Sequence, residues 1–116
     1  MLSFSELVAW QQQFEEQRGL LEFNNPLLLV QRAKTELDEL EHALQNGHTS
    51  EEKASEVADV IIFMAAIIMK LEIENPDDII KAKMERNQSK YAVEYFLTAE
   101  HPQVAIDMAR EAWKGD

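Results

Sequence analysis

Apolar residues recur along the chain at helical rather than alternating spacing, and helix-stop and helix-start residues fill the breaks between the periodic stretches. Leu7, Trp10 and Phe14 mark a first helix from about Ser3 or Ser5 to Arg18, stopped by Gly19. Asn24-Asn25-Pro26 opens a second helix with an Asn cap and a proline at the first helical position. Ala33, Leu37, Leu40 and Leu44 then follow at spacings of four, three and four, and Gly47 ends the run.

Thr49 and Glu52 have capping-box spacing and predict a third helix to about Glu74. Its main stripe is Val57, Val60, Ile61, Met64, Ile68 and Leu71, but Ile62, Phe63, Ala65, Ala66, Ile67 and Met69 fill its other faces, so it is expected to be surrounded. Asn75-Pro76-Asp77-Asp78 repeats the Asn cap, proline and early acids, and predicts a fourth helix to about Phe96. After a break at His101-Pro102, a last helix carries Val104, Ile106, Ala109 and Trp113. The class is all-α, with no internal repeat.

With 116 residues, 46% of them hydrophobic, one domain over 1–116 is expected. The absence of cysteine rules out disulfides, thiolate metal sites and cysteine nucleophiles, and fits a reducing cytoplasm. The first residues lack the basic and apolar segments of a signal peptide, so export is not expected. The apolar run from Val60 to Met69 is shorter than the roughly 20 residues that span a bilayer, so no membrane association is expected. A net charge of −11 disfavours nucleic acid as a partner.

The position of the acids carries more information than their number. Glu36 and Glu39 are three apart on the second helix, and Glu56 and Asp59 three apart on the third, each pair offset alike from its apolar stripe. On the third helix the acidic strip runs on into Phe63 and Ala66, so these carboxylates are expected to look into the protein. Carboxylates converging in a partly dry site repel one another unless a divalent cation neutralises them, and an all-oxygen donor set favours magnesium, manganese or calcium over zinc. One such pair alone reads as a solvated helix face. Two pairs in matching register on consecutive helices weaken that reading.

A basic island balances the acids. Lys83, Arg86, Asn87 and Lys90 share one face of the fourth helix, joined in sequence by Lys81, and offer donors to an anion; the competing reading is a helix C-terminal half complementing its own dipole. Trp10 and Phe14, one turn apart, offer a flat surface to a base whose edge Asn24 or Asn25 would read, although such an aromatic pair is more often core packing.

Thr35-Glu36-Leu37-Asp38-Glu39-Leu40 and Ser55-Glu56-Val57-Ala58-Asp59-Val60, followed by Lys83, Asn87, Lys90 and Tyr91, resemble the motif of the MazG-type all-α nucleoside triphosphate pyrophosphohydrolases. The resemblance covers about Leu7 to Tyr91 and leaves an extension at about 97–116; Ala92 stands where some relatives have proline. It implies a four-helix-bundle-like fold with an additional C-terminal helix, assembled as a homodimer or homotetramer. It further implies magnesium, with manganese as substitute, held by Glu36, Glu39, Glu56 and Asp59. The implied reaction is hydrolysis of a (deoxy)nucleoside triphosphate to monophosphate and pyrophosphate, in nucleotide house-cleaning or pool control. Glu39, or else Glu36, would act as base, with Lys83, Asn87, Arg86, Lys90 and Tyr91 on the phosphates and Trp10 on the base.

Two other readings are open. A ferritin-like carboxylate oxidase needs Glu-x-x-His twice, and only Glu39 and His42 supply it. A non-enzymatic helical module would use the apolar third helix for homo-oligomeric assembly alone, an assembly expected in either case.

Overall fold

The computed structural model describes residues 1–113; the last three positions of the expected extension lie outside the described residues. Six helices form among them: α1 (Phe4–Gln17), α2 (Pro26–Gln45), α3 (Ser50–Lys70), α4 (Pro76–Lys90), α5 (Val93–Thr98) and α6 (Pro102–Ala112), with no strand. No helix of the described residues is long and apolar enough to cross a membrane.

The helix starts follow the sequence closely. Ser3 Oγ accepts from the Glu6 amide, and Asn25 Oδ1 from the Leu28 amide at 2.9 Å. Thr49 and Glu52 close the capping box in both directions, at 3.2 and 3.1 Å. Each bond satisfies an amide that the first turn would otherwise leave orphaned. Ends are less regular in residue type than in geometry. At the ends of α1, α2 and α3 an amide reaches back five residues, Leu20 to Glu15, His48 to Ala43 and Ile73 to Ile68. In each turn the residue before the donor is left-handed: Gly19, Gly47 and Glu72, with φ of 64°, 66° and 56°. Glu72, which bears a Cβ in this conformation, stops α3 short of the expected Glu74.

Residues Met1–Pro76 make one compact unit, and the described residues from Asp77 onward make a second. In the first, α3 packs against both α1 and α2, and α2 and α3 form a hairpin. The inward stripe of α2 is Leu29, Ala33, Glu36, Leu40 and Ala43, and that of α3 runs through Glu56, Val60, Phe63 and Ala66. This corrects the expected core. Of the α2 stripe read from the sequence, Leu37 and Leu44 are exposed; of the α3 stripe, Val57, Ile61, Met64 and Leu71 are. An apolar count misses the inner face because it contains two glutamates and depends on alanines, which let the helices approach closely. Leu29 is the one large apolar side chain fully buried among the described residues, and Ala33, Ala43, Ala65 and Ala66 complete the core of this unit. Within this unit α1 and α2 flank α3 and leave its Val57, Ile61, Met64 and Leu71 exposed.

In the second unit the expected fourth helix divides. It ends at Lys90, Ala92 is extended at φ −57° and ψ 139°, and α5 begins at Val93 without a side-chain cap. Contact between α5 and α6, where Ala105 and Ala109 are fully buried, overrides local helix preference here. The φ of Ala92 lies in the range a proline ring imposes.

Candidate functional site

Capping-box closure at Thr49 and the left-handed Gly47 fix the turn of the α2–α3 hairpin, and the hairpin brings acids from both helices together. Carboxylate oxygens of Glu36, Glu56 and Asp59 lie within 4.8 Å of one another. Glu36 and Glu56 are half-buried, and the Oε2 atom of each is shielded from water with no hydrogen-bond partner among the described residues. Asp59 and Glu39 are exposed, so only half of the expected quartet looks into the protein. Glu39 is outside the close trio but near enough for its carboxylate to act on that of Glu36.

Burial first, then the hydrogen bond and charge of Glu39, then the charges of Asp59 and Glu56, raise the Glu36 carboxyl above its ordinary value of 4.5. Two orphaned oxygens within an all-carboxylate set fit a hard divalent cation bound by Glu36, Glu56 and Asp59. Without such an ion, the folded chain holds a proton on Glu36 more tightly than the unfolded chain does. The resulting stability is fully present below pH 4.5 and is lost as pH rises through the raised value. Glu52, held below 4.5 by its bonds to Thr49, acts in the opposite sense and in a lower window, losing its contribution as pH falls through its depressed value. In chelator, the melting temperature is therefore expected to fall as pH rises above 4.5, and Glu36→Gln to flatten that slope while leaving the acid limb; a parental slope in Glu36→Gln would refute the assignment.

Beside the trio is a cavity of about 300 Å³, walled by Trp10, Phe14, Leu20, Leu29, Ile62, Phe63 and Ala66, with Gln11, Asn24 and Arg32 as its polar lining. Trp10 and Phe14 stack at 5.0 Å between centroids, and the Arg18 guanidinium covers the Phe14 ring at 3.9 Å. Gln11 and Asn24 are 6% and 7% exposed, yet Gln11 Oε1 and Asn24 Oδ1 have no partner among the described residues. An unmet buried acceptor costs about 1–3 kcal/mol. Asn25, the other candidate for reading a base, does not line the cavity and serves as the α2 cap.

Cavity and trio are in register along one hairpin. Arg32 is one turn before Glu36 on α2, and Phe63 one turn after Asp59 on α3, an axial step of about 6 Å. Sequence reasoning missed Gln11, Arg32, Ile62 and the buried Glu15 behind Gln11. The available signal was Gln11 and Glu15 lying one turn apart on the side of α1 that also carries Leu7 and Phe14.

Lys83, Arg86 and Asn87 are exposed on α4 in the second unit, and Lys90 is half-buried at its end. Lys90 Nζ lies 5.4 Å from the Tyr91 ring centroid, and the Tyr91 hydroxyl accepts from Arg110 Nε at 3.1 Å. That bond, more than the nearby charges, holds the phenol below its ordinary value. His42, the single histidine partner available to a ferritin-like site, meets the His48 ring and the Asn46 amide near the hairpin turn. Compared with family models, curated proteins and solved structures, the chain has no match.

Proposed function

We propose that the chain is a magnesium-dependent nucleoside triphosphate pyrophosphohydrolase with a MazG-type fold, cleaving between the α and β phosphates. The observation that carries this reading is the register of an aromatic cavity with a carboxylate trio about one helical turn along the same hairpin. Glu36, Glu56 and Asp59, joined by Glu39, would hold the ion, whose chemistry is neutralisation of phosphate charge and a bound water of lowered pKa. Glu39, exposed one turn from Glu36, or else Glu36 itself, would take a proton from the attacking water. Trp10 and Phe14 would hold the base in the cavity that Gln11 and Asn24 also line. The phosphate-binding role of Lys83, Arg86, Asn87, Lys90 and Tyr91 rests on the sequence pattern and the resemblance.

The open apolar face of α3, Val57, Ile61 and Met64, supports assembly as a homodimer or homotetramer. It is also what favours the second reading, a helical interaction module without catalysis. A pyrophosphate-release assay over common and damaged nucleoside triphosphates separates the two. Release that depends on magnesium is expected. Silence across the panel from folded, assembled protein would leave the interaction module.

A further inference from the structure

The polar side chains on the cavity lining are not equally open to an occupant. Gln11 and Asn24 are nearly closed to solvent, and their side-chain oxygens are shielded from water. Gln11 Nε2 is engaged by Glu15 Oε2 at 2.9 Å, and the other oxygen of this fully buried glutamate lies 3.7 Å from Lys70 Nζ at the end of α3. Arg32, by contrast, is exposed, and among the described residues it is the one charged side chain on the lining. Its charge is not taken up by the nearby acids. Arg32 and Glu36 stand four apart on α2, a spacing at which helix ion pairs form, yet no ion pair joins them among the described residues. The guanidinium instead lies 5.5 Å from the ring centroid of Phe23, which precedes α2. Long side chains on a helix lean toward its N-terminal end, and this lean carries the group away from Glu36. A ring occupies one face of a guanidinium and leaves the N–H groups along its edge to a second partner, in a fork that matches the oxygens of a phosphate.

We infer that Arg32 is a substrate-binding residue that grips the phosphate attached to the nucleoside, the α-phosphate, while the base fills the cavity. This rests on the nucleotide reading of the cavity. Its aromatic and aliphatic walls accept a flat uncharged group but offer nothing to the negative charge such a ligand carries. The carboxylate trio repels that charge when no cation is bound. Arg32, on the lining and one turn before Glu36, supplies the attraction from within the same unit as the cavity and the trio. A nucleoside monophosphate therefore binds without a metal ion, and binds better than the nucleoside alone.

The test is calorimetric binding to the full chain in chelator, comparing each common nucleoside with its 5′-monophosphate at fixed ionic strength. For at least one pair the parent is expected to bind the monophosphate about tenfold more tightly or better. Arg32→Gln, which keeps donors but removes the charge and the fork, is expected to bring that ratio near one by weakening the monophosphate and sparing the nucleoside. Arg32→Lys, a point charge without the fork, should fall between the two. Lys34→Gln, which removes a cation exposed on α2 but off the lining, should retain the parental ratio. Each ratio is taken within one variant, so a general loss of folded protein does not imitate the effect. Equal binding of nucleoside and monophosphate by the parent, or a parental ratio in Arg32→Gln, would overturn the role of Arg32 and leave the nucleotide reading standing. If neither nucleoside nor monophosphate binds, the nucleotide reading of the cavity fails, and the role of Arg32 with it.

Discussion

Glu56→Ala is expected to lower magnesium-dependent pyrophosphate release by more than the about 100-fold that loss of an outer partner of a metal site costs, without loosening the fold. Glu56 occupies the inward stripe of α3, where its buried Oε2 has no partner in the described chain. Alanine is the best helix former and already fills neighbouring inner positions at Ala65 and Ala66. Its introduction also removes a negative charge facing Glu36. Activity and stability should therefore move apart: release collapses, while the metal-free melting temperature holds or rises. The loss of stabilisation by added magnesium would accompany the loss of rate. Parental turnover in Glu56→Ala would end the proposed assignment of this carboxylate.

Ile61→Lys is expected to have the largest effect on assembly. Ile61 is 41% exposed, between Val57 at 43% and Met64 at 37%, on the open side of α3. A lysine there would face its symmetry mate or another apolar surface across the proposed interface. An uncompensated charge buried in this way weakens association by about 100-fold or more. Sedimentation velocity should show the parent as a dimer or tetramer and the variant shifted to smaller species. A parental sedimentation profile in the variant, or a monomeric parent, would mean that this face does not join copies of the chain.

How much of this was legible depended on which atoms set each feature. Helix starts were readable because a cap acts within a few residues: Ser3, Asn25 and Thr49 each bond an amide three positions on. The end of α3 was hidden because Glu72 takes a conformation that residue type predicts for glycine, and the break at Ala92 because packing of α5 on α6 decides it. Spacing placed Glu36, Glu56 and Asp59 correctly as neighbours, but it located the core one position away. The stripe seen in the sequence was centred on Leu37 and Val57, both exposed, whereas the inner stripe passes through Glu36 and Glu56. The cavity was only partly visible, through Trp10, Phe14 and Asn24. Lys70 and Glu15 are brought together by tertiary packing, and no local pattern signals their contact.

The trio is built across a single short hairpin, with Glu36 and Glu56 close in sequence by the standards of tertiary contacts. Bringing such segments together costs little chain entropy, so pairing of α2 with α3 belongs among the early events of folding. The mutual repulsion of these carboxylates must then be overcome while the nucleus is forming. It follows that the barrier to folding, as well as the stability of the final state, is set partly by the acids the chain keeps on its inner face, and that a cation able to neutralise them would quicken the closure of the hairpin.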